Sequence, residues 1–262
     1  MKPRRINLNV DLGESFGAWQ MGCDAELLRV VGTANIACGF HAGDPLVMRR
    51  TVRDALAAGV SVGAHPSFPD LQGFGRRAMH IPPAELEAML LYQIGALAGI
   101  AQAEGARLTH VKPHGALSNM ACRDAALAAC VVAAIGSFDR SLILLAPAMS
   151  QLAIAGEDAG LAVAAEVFAD RAYDDGGQLL PRGQAGAVLD DVAECVAQVE
   201  RMLETGGLVS VSGRRIRTTF QSICVHGDGP RALAVATAVR AALEALGVEL
   251  VPLPEALAGA AV

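Results

Sequence analysis

The residues best suited to chemistry in this sequence follow short apolar runs of strand length. One such run, residues 34–38, breaks at a glycine and is followed at once by the side chains of Phe40, His41 and Asp44. Pro45 comes next, which is typical of a helix start with Asp as the N-cap and Pro at the first helical position. The pattern therefore predicts a strand, a polar turn and a helix, whose free N–H groups favour an anionic ligand.

The same arrangement recurs, so that ionisable side chains follow six predicted strands. They are Asp11 and Glu14; His41 and Asp44; His65 and Asp70; Lys112 and His114; Glu166, Asp170 and Arg171; His226 and Asp228. Turns at the opposite ends of the strands, such as residues 57–59 and 105–106, contain only alanine and glycine. In a barrel of parallel strands, the carboxyl ends converge on one face. We therefore expect one shared polar cavity.

Strands and helices alternate about seven times along the chain. Apolar strands such as residues 142–146, separated by amphipathic helices such as residues 45–58, indicate an α/β protein with parallel strands and helical crossovers. The length of 262 residues suits a (β/α) barrel. We expect a single domain over residues 1–262, forming an irregular barrel of seven strands, with an open doubly wound sheet as the alternative.

Composition narrows the classes of partner. The 27 acidic residues exceed the 21 basic ones, and the net charge of −6 argues against a non-specific nucleic-acid binder. The N-terminus lacks the apolar core of a signal peptide, and no apolar run reaches membrane-spanning length without polar interruption. The six cysteines show no CxxC spacing and are typical of reduced thiols. We expect a cytoplasmic protein with no nucleic-acid or membrane partner.

Several of these residues also have a structural interpretation. Asp44 and Asp228 can cap the helices that follow them. Arg76 can belong to a solvated pair, although a glycine-rich loop can also carry it to an anion. For Asp11 and Glu14 we favour a role in the site, because a carboxylate that ends an inner strand is costly to bury unless it is paired.

Lys112 and His114 form the sharpest combination. They lie two residues apart at a strand end, so their side chains point into the same region. An ammonium and an imidazole in this arrangement can polarise a carbonyl or hold a phosphoryl group. Asp and His side chains together can instead hold a divalent metal. The residues alone leave these alternatives open.

Seven motifs, in order along nearly the whole chain, are shared with one known family. They are NVDLGESFG at residues 9–17, NIACGFHAGDP at 35–45, GAHPS at 63–67, GFGRR at 73–77, VKPHGAL at 111–117, EVFADRAY at 166–173 and CVHGD at 224–228. Together they resemble the LamB/YcsF family, the A subunits of 5-oxoprolinase. Val10 stands where the family usually has Cys, which argues against a cysteine nucleophile there. Ser118 replaces the usual Tyr.

The resemblance implies a cytoplasmic hydrolase subunit that opens the lactam of 5-oxo-L-proline to L-glutamate with cleavage of ATP. It also implies ATP with Mg²⁺ as the consumed nucleotide, partner subunits B and C, and a barrel related to the glycoside hydrolase/deacetylase superfamily. A protein-bound divalent metal, with ligands unknown, and a homo-oligomer are further expectations. The alternatives are a stand-alone metal-dependent amidase or carbohydrate deacetylase, suggested by fold analogy, and a non-catalytic lactam carrier.

The chemistry of lactam opening suggests a division of roles. Lys112, His114 and Arg171 would stabilise negative charge, while Asp11 or Glu14 orients or deprotonates water. The residues expected to be catalytic are Asp11, Glu14, Lys112 and His114. The residues expected to bind substrate are His41, Asp44, His65, Arg76, Glu166, Asp170, Arg171, His226 and Asp228.

Overall fold

The computed structural model describes residues 4–258, and at its centre is a closed barrel of seven parallel strands. The strands among these residues are β1 (Arg5–Leu12), β2 (Thr33–Ala37), β3 (Ser61–His65), β4 (His110–Val111), β5 (Ile143–Pro147), β6 (Val163–Phe168), β7 (Gly207–Val209), β8 (Arg215–Arg217), β9 (Ser222–Val225) and β10 (Glu249–Leu250). The barrel consists of β1 to β6 and β9, whereas β7 pairs with β8 and β10 pairs with β1 outside the ring. Strands β1 to β6 pair in order, β6 pairs with β9, and β9 closes the ring against β1. The seven-stranded barrel predicted from the sequence is confirmed.

Helices surround the barrel. They are α1 (Asp24–Leu27), α2 (Pro45–Ala57), α3 (Pro83–Ala103), α4 (Gly115–Ala121), α5 (Ala125–Phe138), α6 (Gln151–Asp158), α7 (Val192–Thr205), α8 (Ala232–Ala245) and α9 (Leu253–Ala258). Neighbouring helices pack on one another around the ring, as α3 does on α5, α5 on α6 and α7 on α8. The sequence did not predict α4 and α9, because so few residues show little helical periodicity.

Strand β1 shows how polar and apolar residues divide between the two sides of the barrel wall. Its apolar residues join the core that includes the surrounding helices. The alternate residues Asn7, Asn9 and Asp11 are also buried. Asn9 Nδ2 donates to Glu166 Oε1 at 2.8 Å, and Asn7 Oδ1 accepts from Ser222 Oγ at 2.7 Å. Because residues two apart in a strand face one side, β1 presents polar groups to the barrel interior.

Strand β6 ends later than the sequence predicts. The sequence pattern places Glu166 after the end of its predicted strand, whereas the observed strand extends to Phe168. No glycine or proline occurs between residues 161 and 175 to mark the strand end. Glu166 therefore lies within the barrel wall. A long loop follows β6, and β7 and β8 form an antiparallel pair.

Helix α3 has the length and apolar composition that would let a helix cross a membrane. It departs from the expectation that no segment would qualify. In the fold, Leu86, Leu90, Ile94 and Leu97 of this helix are buried, and the helix packs against α2, α5 and β3. Packing in the helical layer accounts for these four buried side chains.

Helix α2 begins as the sequence predicts, with Asp44 as its N-cap. The side chain accepts hydrogen bonds from the main-chain N–H groups of Leu46 at 2.8 Å and Val47 at 2.9 Å. Its second oxygen accepts from the N–H of Gly17 at 2.8 Å. Asp44 therefore joins the loop after β1 to the start of α2.

Replacing Asp44 by Ala removes the cap and this connection together. We expect the free energy of unfolding to fall by about 1–2 kcal/mol for the cap, and by a further ~1 kcal/mol for the bond from Gly17. The matched control is Asp124→Ala, because Asp124 caps α5 with two bonds of the same kind. Urea denaturation measures both variants, and equal losses would contradict the contribution of the Gly17 bond.

Candidate active site

Most of the residues expected in a site meet at the carboxyl ends of the barrel strands. A cavity of about 300 Å³ opens there. The expected residues that line it are Asp11, His65, Arg76, Lys112, His114, Arg171 and His226. They come from the ends of five strands and the loops beyond them, so the barrel brings together groups that are distant in sequence.

The ammonium group of Lys112 lies on the floor of this cavity between two carboxylates. Its Nζ is 3.0 Å from Asp11 Oδ1 and 3.0 Å from Glu166 Oε1, and it donates to Cys224 Sγ at 3.1 Å. Burial alone would lower the pKa of Lys112, but the facing carboxylates raise it well above its ordinary value. Lys112 is therefore a buried, fixed positive charge.

The two carboxylates beside Lys112 differ in their tendency to ionise. Burial would raise the pKa of Asp11, but the neighbouring His65 and Lys112 hold it well below its ordinary value. Burial raises the pKa of Glu166, and its Oε2 has no hydrogen-bond partner among residues 4–258. Two neighbouring carboxyl groups with pKa values moved in opposite directions are typical of acid–base sites.

A layer of polar side chains below Asp11 was not predicted from the sequence. Asn35 Nδ2 donates to Asp11 Oδ1 and to Asn9 Oδ1, each at 2.8 Å, and His110 Nε2 lies 2.8 Å from Asn35 Oδ1. A Cβ at Gly63 would overlap the ring of His110, so glycine makes room for this layer. The available signal was the alternation of Asn9 and Asp11, which places both on one side of β1.

Three histidines and a glutamate form a buried cluster on one side of the cavity. One potential ligand atom from each of Glu14, His41, His65 and His114 lies within 4.8 Å of the others, so the group could hold a metal ion. The rings of His41 and His114 stack with centroids 3.9 Å apart. Burial lowers the pKa of His41 and His114 well below the ordinary value and raises the pKa of Glu14 well above it.

A second histidine–carboxylate pair lies on another side of the cavity. His226 Nδ1 is 2.8 Å from Asp170 Oδ2, and the His226 ring stacks on Phe168. Burial would raise the pKa of Asp170, but the charge of His226 lowers it. The carboxylate orients the imidazole, whose ring lines the cavity.

Three guanidinium groups surround the cavity. Arg171 donates to the main-chain carbonyls of Ala187 at 3.1 Å and Leu180 at 2.5 Å, so it holds the long loop after β6. Arg182, on that loop, lines the cavity as well, and burial and the charge of Arg76 lower its pKa. The sequence did not single out Arg182 as a site residue, because a loop position carries no strand or helix signal.

Two expected substrate-binding residues make contacts of another kind. Asp44 caps α2, as described above. Asp228 forms an ion pair with Arg76, and α8 begins at Ala232 with no side-chain cap, so the alternative that Asp228 caps this helix is wrong. Substrate binding by Asp44 and Asp228 stays a prediction.

The chain matches known proteins over almost its whole length. A model of the LamB/YcsF family matches residues 6–258. The A subunit of 5-oxoprolinase from Azoarcus sp. (strain BH72) is 66% identical over 251 residues, which cover 96% of this chain and 98% of the relative. The corresponding A subunit from Pyrococcus abyssi (strain GE5 / Orsay) is 50% identical over 251 residues, with 96% and 98% covered.

Solved structures give the same picture for the fold. The lactam utilization protein from Thermus thermophilus superposes with a TM-score of 0.89 at 44% identity, covering 94% of this chain and 99% of that chain. A family 4 carbohydrate esterase from Streptomyces lividans superposes with a TM-score of 0.52 at 14% identity, covering 94% and 91%. The expected likeness to the deacetylase barrels is confirmed for the fold alone.

Replacing Lys112 by Met leaves the carboxylates of Asp11 and Glu166 facing each other without a cation. We expect the free energy of unfolding to fall by about 3–5 kcal/mol, because a buried ion pair loses one partner. Adding Glu166→Gln should recover part of this loss, since one buried carboxylate then remains instead of two. Urea denaturation measures the effect.

The control for this pair of variants is Arg5→Met, which removes an exposed ion pair with Glu249 and should cost less than about 1 kcal/mol. If the Lys112→Met variant and the double variant Lys112→Met with Glu166→Gln have the same free energy of unfolding, Lys112 does not offset repulsion between the two carboxylates.

Proposed function

This chain belongs to the LamB/YcsF family, and we propose that it is the subunit of an ATP-dependent 5-oxoprolinase that opens the lactam ring. The names of its relatives, which are 5-oxoprolinase A subunits and a lactam utilization protein, support a lactam as substrate. The observation that carries the proposal is the cavity whose floor holds Lys112 between Asp11 and Glu166.

The reaction converts 5-oxo-L-proline, ATP and two molecules of water into L-glutamate, ADP and phosphate. The lactam oxygen attacks the γ-phosphorus of ATP, and the bond from that phosphorus to ADP breaks. Water then adds to the activated carbon, the carbon–nitrogen bond breaks, and the ring nitrogen takes a proton. The resulting acyl phosphate is hydrolysed by the second water. This order explains why ATP is consumed, since an amide is otherwise a stable bond.

The groups in the cavity suit these steps. The ionised carboxylate of Asp11 can take the proton of the attacking water, with Glu14 as the second expected carboxylate. Lys112 can stabilise negative charge on the oxygen of the former carbonyl, whereas a catalytic role for His114 stays a prediction. His226, held by Asp170 at 2.8 Å, can give a proton to the departing nitrogen.

The guanidinium groups suit the anionic parts of the substrates. Arg76, Arg171 and Arg182 line both the cavity of about 300 Å³ and a neighbouring cavity of about 450 Å³. Guanidinium groups bind carboxylates and phosphates well, because their donors match the spacing of two oxygens. We assign them to the carboxylate of 5-oxoproline and to phosphoryl oxygens of ATP, which is consumed with Mg²⁺.

Partner subunits B and C complete the enzyme in this proposal, as the naming of the relatives as A subunits suggests. We place the reaction in the cytoplasm, which the six free cysteines of the chain support. A homo-oligomer of this chain stays a prediction.

The decisive experiment is an assay of glutamate release from 5-oxoproline by the chain with subunits B and C, with and without ATP. Release that needs ATP and all three subunits is the expected result. Release by the isolated chain without ATP would identify a stand-alone amidase, and release of acetate from an acetylated sugar a carbohydrate deacetylase. The chain is a carrier if it binds 5-oxoproline in calorimetry but variants of the cavity residues form glutamate in a single turnover at the normal rate.

Replacing Asp11 by Asn keeps the shape of the side chain and removes its negative charge. We expect glutamate formation by the assembled enzyme to fall by about 100-fold or more, the usual contribution of a general base. Asp54→Asn, at an exposed position of α2, is the control and should leave the rate unchanged. A near-normal rate for Asp11→Asn would contradict the assignment of the base.

Replacing Arg182 by Gln removes one guanidinium from the cavity. We expect the KM for 5-oxoproline or for ATP to rise about tenfold or more, as for the loss of one hydrogen bond to a charged group, with kcat changed less. Steady-state kinetics with each substrate varied in turn identifies which anion Arg182 contacts. Arg107→Gln, on the exposed surface, is the control, and an unchanged KM for both substrates would exclude the role.

A further inference from the structure

The hydrogen bonds of two buried histidines determine which of their ring nitrogens carry hydrogen. His65 Nδ1 lies 2.6 Å from the main-chain oxygen of Lys112, and His114 Nε2 lies 2.9 Å from the main-chain oxygen of Phe74. A carbonyl oxygen only accepts, so each of these nitrogens donates an N–H. In a neutral imidazole the other nitrogen then carries a lone pair.

These two lone pairs face each other. His65 Nε2 and His114 Nδ1 are 3.0 Å apart, and both residues are buried. Two acceptors at this distance repel unless a cation lies between them. Further potential ligand atoms surround the pair, since Glu14 Oε1 lies 3.6 Å from His114 Nδ1, and His41 Nδ1 is buried with no partner among residues 4–258.

We propose that this cluster binds one divalent transition-metal ion of the zinc class, with His65, His114 and Glu14 as ligands. Imidazole and carboxylate together suit Zn²⁺, Mn²⁺, Co²⁺ or Fe²⁺ better than Mg²⁺ or Ca²⁺, which prefer oxygen alone. Atom separations of 3.0 and 3.6 Å are those of adjacent ligands on one ion bound at about 2.0–2.2 Å. Such an ion supplies a Lewis acid for a carbonyl oxygen or a bound water.

The surroundings of the cluster are those of a metal site. Metal-binding histidines almost always donate their second N–H to a carbonyl or carboxylate, as His65 and His114 do. Phe74, whose oxygen accepts from His114, has a φ of 54°, a conformation that costs a non-glycine residue energy and is concentrated at functional sites. The loop thus holds a strained residue where its oxygen orients the His114 ring.

His41 is the fourth donor of the cluster. Its ring is stacked on that of His114, with 9° between the two planes. Two parallel rings cannot both direct a lone pair at one ion, so His41 joins the ligands only after its ring tilts. We therefore assign His65, His114 and Glu14 as the core of the site and His41 as an additional ligand.

The proposal goes beyond the proposed function, because metal binding is measured on the isolated chain without substrate. The purified chain is analysed by mass spectrometry of its metal content, stripped with a chelator, and titrated with Zn²⁺ and with Co²⁺. We expect one equivalent of either metal, and visible absorption from Co²⁺ bound to nitrogen ligands. Failure to release glutamate would overturn the proposed function but not the metal site. Failure to bind metal would overturn the metal site but not the proposed function.

Variants identify the ligands. His65→Gln and His114→Gln should weaken Zn²⁺ binding more than about 100-fold, since the loss of an outer-shell partner alone costs 10–100-fold. Glu14→Gln, which keeps the volume of the side chain, tests the site if a histidine variant does not fold. His80→Gln is the control, because His80 is exposed.

Two results would overturn the proposal. One is a chain that retains no metal and binds neither Zn²⁺ nor Co²⁺. The other is binding that His65→Gln, His114→Gln and Glu14→Gln leave unchanged. In the first case, the cation between the rings is a proton, and ¹⁵N chemical shifts of the imidazoles would show one of the two histidines in its doubly protonated form.

Discussion

The buried ammonium group of Lys112 is the constraint on which the mouth of the barrel depends. A charge at this depth is tolerated only where opposite charges and hydrogen-bond partners surround it. Asp11 and Glu166 provide the charges, and they come from β1 and β6, on either side of the barrel from β4. The three groups meet only if the seven strands close in one register. The ion pairs of Lys112 with Asp11 and Glu166 therefore form only in the closed barrel.

The loops around this floor lack regular structure, yet buried side chains hold their main chains in place. Gln93 of α3 accepts from the N–H of Ser67 and donates to its oxygen, each at 2.9 Å. Arg171 does the same for the long loop through the oxygens of Ala187 and Leu180. Because the protein's own side chains make these contacts, they hold the walls of the cavity in the way that a preorganised site requires.

The sequence predicted much of the candidate site because its residues were selected as ionisable side chains that follow a strand. This selection requires only the position at which an apolar run ends. Asp11 and His114 were found in this way, and an error of one or two residues in a strand does not affect the result. Asn35 was missed because it lies inside a strand, and Arg182 because it lies far along a loop. The ionisation of each group was also beyond the sequence, since it depends on distances across the barrel.

The barrel wall also bears on position 10, where the resemblance to the family led us to expect a cysteine in other members. Val10 lies in the apolar core with the helices, whereas the next residue, Asp11, faces the interior. Adjacent residues of a strand point to opposite sides, so a side chain at position 10 cannot reach a substrate that Asp11 contacts. A cysteine at position 10 would only pack in the core, and Val can replace it there without removing a group that contacts substrate. Ser118, by contrast, lines the cavity, so the size of the side chain at position 118 affects the space that is open to a substrate.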